Sequence, residues 1–120
     1  MLFDVERTTI AGRAALTVRG EVDIATSAQV ADAAASLLDT APAGLVIDLS
    51  PTRFLDSSGA RVLVAIARRC AAGGIELHVI APPTNRPVRL PLELLQLDRV
   101  VPLIGSAGEL PSVSAGRETP

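Results

Sequence analysis

The sequence predicts a single α/β domain with a small mixed β-sheet, in which an N-terminal hairpin is followed by parallel strands joined by right-handed helical crossovers. Its 120 residues are enough for one hydrophobic core but not for two. Two extended segments, at 2–6 and 14–18, flank a turn near Ala11-Gly12 and predict the hairpin. Helical and strand-like patterns alternate beyond it, which is typical of parallel strands with helical connections.

A helix and a central strand are predicted next. The helix runs from Thr26 or Ser27 to Asp39. Apolar side chains at spacings of three and four residues mark its buried face: Val30, Ala34, Leu37 and Leu38. The following strand, at 45–49, shows too little alternation for a half-exposed position, so we expect both of its faces to be covered. Residues 50–55 are predicted to form a loop.

The second half of the chain predicts two more helices and two more strands. A helix from about Ala60 to Ala72 ends at two glycines and is followed by a strand at 75–80. A third helix is expected to start near Arg89, which would place Pro91 in its first turn, where proline is tolerated. A short last strand is predicted at 100–103, on an edge of the sheet because it contains a proline.

The composition excludes several classes of function. The net charge is -2, with 11 Lys+Arg and 13 Asp+Glu, and aromatic residues make up 2% of the chain. Nucleic-acid-binding proteins normally have a basic face or aromatic stacking residues, so we expect no direct nucleic-acid partner. Cys70 is the only cysteine, so no internal disulfide can form, as is usual in a reducing cytosol. No apolar run approaches about 18 residues, so we expect a cytoplasmic protein that does not enter a membrane.

The sequence lacks the motifs of nucleotide-binding and metal-dependent proteins. It contains no Gly-x-x-x-x-Gly-Lys-Ser/Thr phosphate loop, no Gly-x-Gly-x-x-Gly motif and no His, Cys and carboxylate set with metal-ligand spacing. Neither Ser57 nor Ser58 lies in Gly-x-Ser-x-Gly, and the only histidine, His78, lies in a separate predicted strand. We therefore expect a protein that is not an enzyme and has no catalytic residue, metal or cofactor. A serine hydrolase remains the enzymatic alternative.

The tetrapeptide Asp56-Ser57-Ser58-Gly59 lies where the chain turns from extended to helical. Side-chain oxygens of Asp and Ser satisfy the free N–H groups of a first helical turn, so the segment predicts a helix start, with Ser57 as a candidate cap residue. Gly59 is expected to leave this turn open to an approaching group. A phosphate on a serine here would be stabilised by the partial positive charge of the helix N-terminus. An ordinary helix cap that never receives a phosphate is the alternative.

Segments 46–50 and 54–59, with Gly20-Glu21-Val22-Asp23 upstream, resemble the STAS domain of bacterial anti-sigma-factor antagonists, and the resemblance spans residues 2–104. It implies that a serine-kinase anti-sigma factor phosphorylates Ser58, the second serine of the motif, and that a phosphatase reverses this. The unphosphorylated protein would bind the anti-sigma factor and release its sigma factor. The resemblance implies a place for Asp23 in the partner surface beside the phosphorylation site. We expect the partner also to contact Asp56, Ser57, Gly59 and Arg61.

The sequence also departs from that family. Ala60 stands where a larger aliphatic residue is common, and 89–97 lacks the usual Ser/Ala-Gly-Leu ending. Arg61, Arg68 and Arg69 are predicted to lie near one exposed face of the second helix. Solvation explains such a basic face by default, and binding to acidic groups of a partner is the alternative.

STAS domains also occur as cytoplasmic parts of anion transporters and as scaffolds or small-ligand sensors that are never phosphorylated. Because no transmembrane region accompanies this sequence, we favour a free-standing antagonist and keep the unphosphorylated scaffold or ligand sensor as the alternative. Residues 1–111 are expected to form one STAS-like domain. Residues 112–120 lack apolar periodicity and are expected to form a flexible tail.

Overall fold

A six-stranded mixed sheet and three α-helices form the fold in the computed structural model, which describes residues 2–111. The strands are β1 Asp4–Ile10, β2 Arg13–Val22, β3 Gly44–Asp48, β4 Thr52–Leu55, β5 Glu76–Ile80 and β6 Leu103–Ile104; the helices are α1 Ser27–Leu38, α2 Ser57–Gly73 and α3 Arg86–Leu94. The predicted α/β class is confirmed. The tail expected at 112–120 lies outside the described residues.

The sheet has the order β1-β2-β3-β5-β6, with β4 paired to β2 outside this path. β1 is antiparallel to β2, which confirms the predicted hairpin, and the other pairs are parallel. The long strand β2 pairs with β3 through residues 14–17 and with β4 through its last residues, and the register shifts between Gly20 and Glu21. Gly20 has φ +96°, and a Cβ there would lie 3.0 Å from the Cα of Phe3. Glycine is therefore needed where β2 changes partners.

The predicted loop at 50–55 is wrong, because residues 52–55 form β4. Thr52 is buried, and its Oγ1 donates a hydrogen bond to the carbonyl oxygen of Val18 at 2.7 Å. Leu55 is also buried, whereas Arg53 and Phe54 are exposed. This four-residue pattern has too few alternations to distinguish a strand from a loop, and β4 depends on its pairing with β2.

The main core lies between one face of the sheet and the helices, and α1 packs against α2 there. Leu45, Val46 and Ile47 in β3 have no exposed surface, which confirms the prediction of a central strand covered on both faces. A smaller cluster covers the second face. It contains Ala15, Val46 and Ile80, with Ile10, Ile104 and Leu110 packed against them.

The start of α3 and the position of β6 correct two predictions. α3 begins at Arg86, so Pro87 occupies its first turn and Pro91 lies inside the helix. Because proline has no N–H group, Pro91 cannot donate a hydrogen bond to the preceding turn. The last strand lies at Leu103–Ile104 rather than 100–103, although its predicted edge position is confirmed. No helix within residues 2–111 is long and apolar enough to cross a membrane.

Arg13 joins distant parts of the chain on the second face of the sheet. Its side chain is only 5% exposed. Its Nε donates a hydrogen bond to Oε1 of Glu76 in β5, and its Nη2 donates to the carbonyl oxygen of Pro111, each at 2.8 Å. The hydrogen bond from Arg13 lowers the pKa of Glu76, while desolvation opposes this shift. The pair therefore links β2, β5 and the end of the described chain.

Replacing Glu76 with Gln is expected to lower the midpoint of thermal unfolding at neutral pH. The pKa of Glu76 in the folded state is lowered from its ordinary value of 4.5. The contribution of the ionised Glu76 side chain to the free energy of unfolding is therefore fully present above pH 4.5 and is lost as the pH falls through the folded-state pKa. The difference between wild type and Glu76→Gln should therefore shrink in acid. Circular dichroism melts from neutral pH down to about pH 3 measure this. In an Arg13→Met background the pH-dependent difference should disappear, and its persistence would contradict the assigned cause.

Candidate functional site

Two parallel strands end side by side and place two aspartates at one edge of the sheet. Val22 at the end of β2 pairs with Leu55 at the end of β4. The next residues in the chain are Asp23 and Asp56, and the backbone N–H of Asp56 donates a hydrogen bond to the carbonyl oxygen of Val22 at 3.1 Å. The structure therefore brings together the two sequence motifs on which the predicted site was based.

Asp56 is the residue that caps α2. Its backbone is extended, with φ -106° and ψ -168°, and its Oδ1 accepts hydrogen bonds from the N–H groups of Ser58 at 2.9 Å and Gly59 at 3.3 Å. Ser57 is the first residue of the helix itself. The predicted helix start is confirmed, but the assignment of Ser57 as the cap is wrong, because a carboxylate one position earlier satisfies the free N–H groups.

The Ser58 hydroxyl is held by the same carboxylate. Ser58 Oγ donates a hydrogen bond to Oδ1 of Asp56 at 2.5 Å, and this bond is the main reason that the pKa of Asp56 is lowered; desolvation opposes it, and the backbone hydrogen bonds add to it. Ser58 is half-buried, whereas Ser57 is exposed. The ionised carboxylate therefore fixes the direction of the Ser58 oxygen, which is the more constrained of the two hydroxyl groups.

Gly59 permits the close approach of α2 to the strands. It is buried, and a Cβ at this position would lie 2.8 Å from Cγ1 of Val22 and 2.9 Å from Cγ of Leu55. Both side chains belong to the main core. Gly59 was expected to leave the turn open to an approaching group. This expectation is wrong, because core side chains already fill the space that a side chain at position 59 would occupy. Gly59 instead sets how near the serines lie to the ends of β2 and β4.

Asp23 organises the loop that precedes α1. Its Oδ1 accepts hydrogen bonds from the N–H groups of Ala25 at 2.9 Å and Thr26 at 3.1 Å. Thr26 Oγ1 in turn donates to the carbonyl oxygen of Glu21 at 2.7 Å. This loop presents Ile24, whose side chain is 86% exposed. Asp23 therefore has a structural role whether or not it also touches a partner.

Sequence reasoning missed two exposed apolar residues that are close to the aspartates along the chain. Ile24 follows Asp23 directly, and Phe54, which is 43% exposed, precedes Asp56 by two positions. Large apolar side chains at the surface next to polar groups are typical of protein-binding sites. No sequence pattern predicts that these two side chains are exposed, because their exposure depends on how the fold places its other elements.

The three arginines of α2 are all exposed, and they line two adjoining grooves rather than one. Arg61 and Arg68 line a groove between α2 and the segment after α3, and Ser57 also lines this groove. Arg69 lies on the side of α1, where its Nη2 is 2.6 Å from Oδ1 of Asp39. Positions separated by seven residues lie on the same side of a helix, whereas the adjacent position is turned by about 100°. Arg61 and Arg68 therefore line the groove that contains Ser57, while Arg61 also lines the adjoining groove with Arg69.

The arrangement does not provide the base that a serine hydrolase requires. His78, the only histidine of the chain, pairs in register with Val46 and lies on the sheet face away from α2. No group of three or more His, Cys, Asp or Glu residues that could hold a metal ion occurs among residues 2–111. What the site does offer is an oriented serine hydroxyl at a helix start, surrounded by surface side chains suited to protein contacts.

The comparisons with known proteins agree with one another. A family model described as "Mlab, STAS domain" matches residues 7–104. The anti-sigma-F factor antagonist RsfB of Mycobacterium tuberculosis is 32% identical over 107 residues, which cover 88% of this chain and 85% of that protein. The crystal structure of an anti-sigma factor antagonist from Mycobacterium paratuberculosis has 26% identity and a TM-score of 0.82, and the match covers 98% of this chain and 96% of that one.

A more distant structure shows the same fold. SpoIIAA, a cell fate determinant of Bacillus and an anti-sigma factor antagonist, has been solved in unphosphorylated and phosphorylated forms. Its unphosphorylated form is 18% identical to this chain, with a TM-score of 0.65 and coverage of 89% of this chain and 91% of that one. The small mixed sheet with its three helices is therefore retained at low sequence identity.

Gly59→Ala is expected to lower the free energy of unfolding by about 1–3 kcal/mol, because the added methyl group overlaps two buried core side chains. Urea unfolding at equilibrium measures the change. Gly73→Ala is the matched control in the same helix, since a Cβ there would make only ordinary contacts with Ile75 at 3.5 Å and beyond. An equal effect of both substitutions would contradict the packing role assigned to Gly59.

Proposed function

Because this chain belongs to the STAS-domain family of anti-sigma-factor antagonists, we propose that it binds an anti-sigma factor serine kinase and releases the sigma factor, until phosphorylation of Ser58 ends the binding. The observation that carries this proposal is the hydrogen bond from Ser58 to Asp56 at the start of α2. It places a serine hydroxyl in a fixed position on the surface, beside the ends of two strands.

The hydrogen bonds of Asp56 explain how a phosphate would act. The N–H groups of Ser58 and Gly59 already donate to Asp56, so they are not free to bind the phosphate oxygens, and the stabilisation of a phosphate expected from the sequence is not supported at these two groups. A phosphate adds about 1.5 to 2 negative charges at neutral pH, and the carboxylate repels it. The phosphate group therefore turns outward, away from Asp56. It makes the surface around Ser58 more acidic and bulkier while α2 keeps its place on the sheet.

The docking surface combines the predicted polar residues with the two exposed apolar ones. Around Ser58 it comprises Asp23, Ile24, Phe54, Asp56, Ser57 and Arg61. Its apolar side chains supply contact area, and its charged side chains set the orientation of the partner. A serine kinase adds the phosphate and a serine phosphatase removes it. The protein then works as a regulatory binding protein rather than as an enzyme, which agrees with the function for which its mycobacterial relatives are named.

Ser58→Ala is expected to abolish phosphorylation and to retain binding, because the substitution removes one hydroxyl group from an otherwise unchanged surface. Ser58→Asp should weaken binding, although a carboxylate carries less charge than a phosphate. Ser57→Ala is the control, which should still be phosphorylated on Ser58 because Asp56 caps the helix. Site-resolved mass spectrometry after incubation with ATP and each anti-sigma factor kinase of the same genome, paired with binding titrations, measures all three.

Several outcomes of this experiment would overturn the proposal. Phosphate on Ser57, or undiminished phosphorylation of Ser58→Ala, would move the modified site. Tight binding by the phosphorylated wild type would remove the switch. A wild type that binds a partner and is never phosphorylated would identify a constitutive STAS scaffold instead.

A further inference from the structure

We propose that the groove between α2 and the segment after α3 is a second contact region for the anti-sigma factor, and that it takes an amphipathic segment with apolar and acidic side chains. This inference rests on the proposed function, which it extends from the serine motif along the length of α2. The groove is open to solvent and encloses about 510 Å³. It is hereafter called the α2–α3 groove.

The walls of the α2–α3 groove are apolar. They are formed by Ala60, Val64 and Ala65 on α2 and by Leu95 and Leu97 opposite. The two alanines are small, which leaves space between the walls. Leu95 is 51% exposed and its neighbour Leu94 is 72% exposed, so this side of the groove presents uncovered leucine side chains. Such a surface gains free energy when the apolar side chains of another protein cover it.

The charges at the α2–α3 groove indicate the chemistry of its occupant. Arg61 and Arg68 line it, and neither has a carboxylate within 4.0 Å among residues 2–111. By contrast, Arg69, which lies outside this groove toward α1, pairs with Asp39, and Arg89 on α3 pairs with Glu93. Two unpaired guanidinium groups beside apolar walls select a segment that carries carboxylates and exclude a basic one.

The length and position of the α2–α3 groove fit a segment of the partner that also reaches the serine motif. Ser57 lines one end and Arg68 lies near the other. Their separation of eleven residues along α2 corresponds to about 16 Å, or three turns of a partner helix. Ser58 is the next residue after Ser57. A partner seated at Ser58 therefore extends into the groove without a break in the contact surface.

Charge reversal and polar substitution in the groove test the inference. Arg68→Glu and Leu95→Ser are each expected to weaken binding of the anti-sigma factor by about tenfold or more, because they remove an ion pair and an apolar contact. The effect of Arg68→Glu should diminish as salt is raised, whereas that of Leu95→Ser should persist. Arg69→Glu is the matched control: it makes the same charge change at the adjacent residue, outside the groove, and is expected to change the dissociation constant by about twofold or less. Calorimetric titration of the wild type and each variant with the anti-sigma factor, at low and high salt, measures these dissociation constants.

The results separate failure of this inference from failure of the proposed function. If the wild type binds and Ser58 is phosphorylated, but both groove variants bind as tightly as the wild type, the inference is overturned and the proposed function stands. If no anti-sigma factor binds or phosphorylates the wild type, both are overturned. If Leu95→Ser abolishes only a wild-type dimer seen in sedimentation velocity, with unchanged partner affinity, the groove joins two copies of this chain and the inference is overturned. Thermal melts verify that the exposed substitutions leave the fold intact.

Discussion

The carboxylate of Asp56 is the point on which the site depends. Its Oδ1 accepts hydrogen bonds from two backbone N–H groups and from the hydroxyl of Ser58. The backbone N–H of Asp56 donates a hydrogen bond to the last residue of β2. The helix start, the serine orientation and the attachment to the sheet therefore share one residue. Because the negative charge is satisfied by these donors, it stabilises the helix N-terminus, and no basic group within residues 2–111 forms an ion pair with it.

The packing beneath this carboxylate makes the arrangement rigid. Gly59 lets the first turn of α2 rest on Val22 and Leu55, and the two strands that carry these residues pair directly. By contrast, the side chains of Ile24 and Phe54 are exposed. The same strand ends thus supply a firmly packed base and an uncovered surface. A modification on that surface can alter recognition without a change of fold.

The order and type of most elements could be predicted from the sequence, because the spacing of apolar residues and the glycines and prolines at the ends of elements indicate local structure. The strand β4 could not be predicted, since four residues with two exposed side chains at their centre form a strand only when β2 lies beside them. The sequence does not determine the start of α3, because both Pro87 and Pro91 can occupy a first turn and only the surrounding contacts decide between them. The helix start at the serine motif could be predicted from the capping residues, whereas the α2–α3 groove joins residues about thirty positions apart and has no continuous pattern in the sequence.

The contact between Arg13 and Pro111 has a practical consequence for handling the protein. Arg13 stands at the first residue of β2, whereas the serine motif adjoins the last, and ten residues of extended chain span about 30 Å. Pro111 is held at that far end, on the sheet face opposite α2. A fluorophore or biotin attached after Pro111 would therefore be joined to the domain at the end remote from Ser58. Immobilisation through this end therefore leaves the docking surface accessible for measurements on a sensor chip.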